Sequence, residues 1–235
     1  MERVGELWQR MQPVGETSLT GTPLLVVLGL ALVAVALGPL WSVLRVGVTL
    51  VHELGHAGVG VLLGRRFTGF VLRGDMSGHA VTVGPSRGPG RALTTWAGYP
   101  APAVVGALLV VLAVTGWGPV VLAAVVVVLL LSLVRARSAL TVLVVLAVGA
   151  GTGWLFWSGA ALVQAQVLVG TGIVLVVGAW RHLAAVWGAR DGRSDAAVLA
   201  RLTRVPRPLW LVSFALVCAG ATWVVADVVL AAVRG

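Results

Sequence analysis

The stretch Leu50-Val51-His52-Glu53-Leu54-Gly55-His56-Ala57-Gly58-Val59-Gly60 sets H-E-x-x-H inside an apolar, glycine-rich run. Read as a helix, it puts His52 and His56 at i and i+4, on one face. Two imidazoles at that spacing reach one zinc ion. Glu53 stands about 100° round the helix from His52, where it can hold a water without ligating the metal. Zinc lowers the pKa of such a water to roughly 7, and a carboxylate can then take its proton. The chemistry implied is peptide-bond hydrolysis. Ionisable side chains in a membrane segment cost free energy and mark function by default. Three of them within five positions favour a metal site over a packed histidine pair held by a glutamate.

The rest of the chain supplies that membrane setting. Of 235 residues, 59% are hydrophobic and 11% charged, which excludes an ordinary soluble domain. Several runs are long enough to cross a bilayer. Residues 1–235 read as a single domain, because no hydrophilic stretch could hold a second core. Net charge is +9 and every basic residue is arginine. The arginines fall between apolar runs, so the partner they indicate is membrane lipid and not nucleic acid. Cys218 is the sole cysteine, which excludes an internal disulfide and leaves it a packing residue.

Working outward from the motif, residues 1–20 form a polar tail and residues 23–40 a first span. The motif span covers 42–64 and ends at Arg65 and Arg66. Residues 67–84 hold two β-rich runs about Gly74-Asp75-Met76-Ser77-Gly78, the pattern of a hairpin. Following the motif directly, it is either an ordinary connection or a wall of the site, to whose free edge a substrate segment could add as a strand. His79 reads as a solvated loop histidine. Further spans cover 94–115, 120–134, 140–156, 160–179 and 209–233, with a polar connection at 181–208. The fold class is an all-α polytopic membrane protein, with six to seven transmembrane helices and a small β-hairpin after the motif helix. Arginines crowd the connections at 65–91, 135–137 and 181–207, whereas the turns at Trp117 and Trp157 have none. The positive-inside rule puts the arginine-rich connections in the cytoplasm, with the N-terminus inside and the C-terminus outside.

Two histidines do not complete a catalytic zinc site, which uses three protein ligands. His182, beside Trp180 and Arg181, reads as an interfacial anchor. Asp75 suits a turn, Asp191 a solvated loop, and Asp227 lies toward the outer end of the last span. Asp195 divides evenly. It either leads a short helix capped by Ser194, where its charge suits the helix dipole, or it is the third ligand.

These residues resemble the site-2 protease family of intramembrane zinc metallopeptidases, in its compact bacterial branch. The resemblance rests on Val51 to Ala57, the hairpin after it, Gly98-Tyr99-Pro100-Ala101-Pro102-Ala103, and the block Ser194-Asp195-Ala196-Ala197 with the apolar residues after it. It implies a third zinc ligand from a late aspartate followed by small residues. Asp195 matches that pattern with alanine where glycine is usual; Asp191-Gly192 is the runner-up. It further implies His52 and His56 as the other ligands, Glu53 as the catalytic base, and zinc as the cofactor. The substrates are transmembrane proteins, cut within or near a bacterial plasma membrane from the cytoplasmic side. Many members carry an asparagine that stabilises the oxyanion, and this chain has none; Tyr99, Thr94 or backbone N–H groups stand in its place. An inactive relative acting as a scaffold or regulator ranks second. A metal or proton transporter ranks third, because the third to sixth spans carry only Gln164 and Gln166 as large polar groups. The sequence sets no oligomeric state. Asp195 lies in a connection and the motif in a span, so the segment after Ser194 is expected to re-enter the membrane and bring its carboxylate to the two histidines.

Overall fold

A computed structural model describes residues 2–15, 17, 19–75, 77–188 and 192–234. Its elements are α1 (Glu2–Arg10), α2 (Gly21–Ala36), α3 (Gly38–Leu62), β1 (Arg66–Leu72), β2 (Gly78–Val83), α4 (Pro89–Trp96), α5 (Pro100–Val114), α6 (Gly118–Leu133), α7 (Ala139–Ser158), α8 (Ala161–Gly188), α9 (Asp195–Thr203) and α10 (Arg207–Arg234). The protein is an all-α polytopic membrane protein carrying one small hairpin.

The helices α7, α8 and α10 are each long and apolar enough to cross a membrane. The pairs α2–α3 and α4–α5 pass only as bent units, broken by 97° and 61°, and α6 is a shorter apolar helix. With each bent pair counted once, the described residues give up to five candidate crossings, fewer than the six to seven expected. Proline sits at both breaks, in the first turn of α3 (Pro39) and of α5 (Pro100). Lacking an N–H, proline starts a helix readily and continues one badly.

The bend at Leu37 corrects the expectation of separate first and second spans. α2 runs alongside α8, with the Pro23 carbonyl accepting from Gln166 Nε2 (3.5 Å) and the Val35 carbonyl from Arg181 Nη1 (2.7 Å). α3 then turns across the same end of the bundle. Its Val48 meets Gly178, its Gly55 meets Ala97 and Ala101, and its Gly60 meets Thr82 and Thr94. The motif helix therefore stays level with the last third of α8 and the first turn of α5, and does not descend through the bundle.

The arginine-rich connections gather at this end. Phe70 of β1 donates its N–H to Arg135 O and accepts from Arg137 N–H, both at 3.0 Å, and α4 packs on α9. At the opposite end lies the N-terminal arm. Val14 N–H bonds Gly116 O (3.0 Å), Thr17 N–H bonds Val114 O (3.1 Å), and Arg10 reaches Trp157 O (2.8 Å) while lying over the Trp157 ring. The arm shares its end with the uncharged turns. That corrects the placement of the N-terminus at the arginine-rich end, and the cause is the 97° bend between α2 and α3.

The core is densest between α5 and α8, where a Cβ on Gly172 would stand 2.7 Å from the Val110 side chain. Small residues let two membrane helices approach this closely. Cys218 is buried in this core. α8 also runs on to Gly188, past the expected end at Ala179. Leu183 and Val186 pack there with Ala196, Leu199, Leu211 and Phe214, and that apolar cover sustains the helix beyond Trp180.

Candidate metal centre

The sequence dictates α3 first. His52 and His56, one turn apart, bring their Nε2 atoms to 3.1 Å. α9 adds the third group. Asp195 opens that helix, with Ser194 at the N-cap position but making no side-chain cap bond. Ala196 and Leu199 are fully buried, so the apolar face of α9 docks and carries Asp195 inward. Asp195 Oδ2 lies 3.3 Å from His52 Nε2 and 3.2 Å from His56 Nε2. Among the described residues these three form a group able to hold a metal ion. Burial pushes the Asp195 carboxyl up, but the two imidazoles facing it outweigh burial and hold it well below its ordinary range.

The donor chemistry fits a cation. Asp195 Oδ2 and His52 Nδ1 are both buried without a hydrogen-bond partner in the structure. Thr94 O lies 2.7 Å from His56 Nδ1; a carbonyl accepts only, so His56 carries a proton on Nδ1, which leaves Nε2 as the atom that would ligate a metal. The carboxylate oxygen and the two ring nitrogens converge on one point, where a shared proton or a bound cation would sit. Tetrahedral zinc ligands at about 2.0–2.1 Å from the metal sit about 3.3 Å apart, and the separations here are 3.1–3.3 Å. The Thr94 carbonyl stands where the outer partner of a ligating imidazole would stand. His52 is oriented instead by packing. Tyr99 meets its ring edge to face at 4.9 Å and stacks in turn on Phe214 at 5.0 Å.

Glu53 is 3% exposed and lies under the hairpin. β2 runs along α3, from Thr82 against Gly60 to Gly78 against Glu53. A Cβ on Gly78 would stand 2.6 Å from Glu53 Cγ and 2.8 Å from its Cδ. Gly98 plays the same part over the histidines, where a Cβ would stand 2.8 Å from His52 Cε1 and strike His56 Nε2. Neither glycine stood out in the sequence as a site residue, because closeness to Glu53 or His56 is a tertiary property.

The cavity over the cluster is lined by Glu53, both histidines, Asp195, Gly78 to Ala80, Thr82, Thr94 and Thr95, with Arg91 and Arg193. His79 sits on β2 at the cavity, which corrects its placement in a loop, while its exposure agrees with the solvated reading. The two arginines and Thr95 were not singled out either. Of the oxyanion candidates, Thr94 Oγ1 donates to Gly90 O (2.7 Å) and the Tyr99 ring supports His52. Asp75 caps its own turn, its Oδ1 accepting from Ser77 N–H (2.9 Å) and Oγ (2.7 Å). His182 is part-buried on α8 outside the cluster, Asp227 is exposed on α10, and Asp191 lies outside the described residues.

The hairpin also presents an edge. Arg73 N–H bonds Ser77 O (2.9 Å), and the pairs Val71–His79 and Gly69–Val81 follow in the register. Antiparallel alternation makes those the hydrogen-bonded pairs. The N–H and C=O of Gly78 and Ala80 then point away from β1, on the edge that borders the cavity. The other edge, on β1, is taken by Arg135 and Arg137.

A family model described as Peptidase M50B-like matches residues 25–225. That interval contains Glu53, the three clustered residues, the hairpin and both arginines. Comparison with curated proteins found no match, and comparison with solved structures found none.

Proposed function

The chain belongs to the Peptidase M50B-like family, and from that we propose that it is an intramembrane zinc metalloprotease acting on transmembrane protein substrates. The observation that carries the reading is the meeting of His52, His56 and Asp195 from two distant helices, beside a buried Glu53. His52 Nε2, His56 Nε2 and an Asp195 oxygen would hold the metal. When bound, zinc polarises the scissile carbonyl and acidifies water.

The protein's own groups do the rest. Glu53 takes a proton from water at its carboxylate, and the hydroxyl adds to the carbonyl carbon. Glu53 then returns that proton to the amide nitrogen as the C–N bond breaks, giving one carboxylate and one amine. Thr94 O holds the His56 ring, and Tyr99 holds that of His52. A substrate segment must leave its helix to be cut. The Gly78–Ala80 edge of β2 supports capture of that segment as an added strand. The cell membrane of a bacterium is the proposed location, with cleavage at the arginine-rich, cytoplasmic end.

The test is Glu53→Gln in purified protein. Zinc content stays at the level of the unaltered chain, while cleavage of a single-span substrate falls by about 10²–10⁴-fold. Near-normal turnover would remove Glu53 from the mechanism, and loss of zinc would make it a ligand. Asp195→Ala loses zinc and cleavage together.

A further inference from the structure

The cavity carries two charges for which the hydrolytic reading has no use. Arg91, on α4, is half-buried, and Arg193, just before α9, is exposed; both line the cavity that holds the metal cluster. Among the described residues neither makes an ion pair or a side-chain hydrogen bond. The two carboxylates of the same cavity are committed elsewhere. Asp195 faces the histidines and Glu53 lies under Gly78. Arg65 behaves differently. It is buried and tied to Thr82 Oγ1 (3.2 Å) and Pro85 O (2.8 Å), and it is held below its ordinary range first by burial and then by the nearby charge of Arg91. So a structural arginine and an unpaired one lie side by side.

A guanidinium stays charged in a protein. Two of them on the wall of one cavity set up a positive field in it, and a metal ion would add to that field. An anion in the cavity gains charge-assisted hydrogen bonds from guanidinium groups on its wall. The peptide edge of β2 borders the same cavity, so the nearest anion a bound substrate can offer is a carboxylate side chain close to the scissile bond. We infer that Arg91 and Arg193 form an acidic-residue subsite, selecting substrates with Asp or Glu beside the cleavage position on the arginine-rich side. This rests on the protease reading and adds its substrate class.

Binding is the readout, measured with the Glu53→Gln protein in uncharged detergent, where lipid phosphates do not compete. The probes are two fluorescent peptides with the same apolar span, one followed by Asp-Ala-Asp and the other by Asn-Ala-Asn. The acidic peptide binds about tenfold tighter at low salt, and the gap narrows as salt rises. Arg91→Gln with Arg193→Gln removes the gap, and the two lysine substitutions keep most of it. Equal binding of the two peptides overturns the inference, as does a gap that survives the glutamine pair. If the glutamine pair fails to fold, the salt series decides, and a gap indifferent to salt overturns it. Failure of the protease reading looks different. The chain with Glu53 intact then cleaves neither peptide, while the binding gap stands.

Discussion

At the scale of single residues, the site depends on atoms that are missing as much as on those present. Gly78 and Gly98 leave room for Glu53 and for the imidazoles. Gly78→Ala puts a methyl group against the carboxyl of Glu53, whose neighbours in α3 are fixed. The expected outcome is a loss of cleavage within the about 10²–10⁴-fold range of a general base, with zinc content unchanged. Gly98→Ala strikes the ligands instead, so zinc is lost along with activity. Metal analysis beside a cleavage assay separates the two, and an alanine at Gly78 that cleaves normally would show that Glu53 is not confined there. The H-E-x-x-H positions were legible because i, i+4 spacing is a local property of a helix. The glycines were not, since nothing near them in sequence records what crosses over them.

At the scale of elements, α5–α8 is the most extensive helix contact among the described residues. Gly106 and Gly172 face one another there; a Cβ on Gly106 would stand 2.9 Å from the Val176 side chain. Gly172→Val inserts methyl groups with no room to turn, at a cost of about 1–3 kcal/mol. Thermal unfolding in detergent should come at lower temperature, with zinc binding at moderate temperature retained because the cluster lies at the end of the bundle. An unchanged unfolding temperature would mean the two helices are not packed through these glycines. The hairpin was legible from its turn residues and β-rich runs, although its role as the wall over Glu53 was one of two open readings. α9 was legible in part. Ser194, Asp195, Leu199 and Leu202 marked a short amphipathic helix, and the burial of Leu199 is what turns its leading carboxylate toward the histidines.

Across the whole molecule, the decisive feature is the 97° bend between α2 and α3. The N-terminal arm then lies with the turns at Trp117 and Trp157, at the end away from the arginines. A cysteine introduced at Gln12 should react with a membrane-impermeant thiol reagent applied from the same side as one introduced at Gly159. Cysteines at Arg137 and Arg193 should be shielded from that side. Labelling of Gln12 together with Arg193 would restore two separate spans and an N-terminus among the arginines. The bend also puts the metal cluster at the arginine-rich end, so α9 meets it by docking on α4 and α10 and has no need to plunge to the bilayer centre.

The sequence alone determined the membrane class, the hairpin, the two histidines and their glutamate, because composition, alternation and helical spacing are set by residues close together in the chain. It also narrowed the third ligand to very few carboxylates, since the chain carries only 8 acidic residues. Tertiary structure decided which acid meets the histidines, which glycines make room for them, that Arg91 and Arg193 share their cavity, and which end the N-terminus occupies. Those depend on the angle at Leu37 and on the docking of α9, which arise from packing between residues more than a hundred positions apart, where no local pattern reaches.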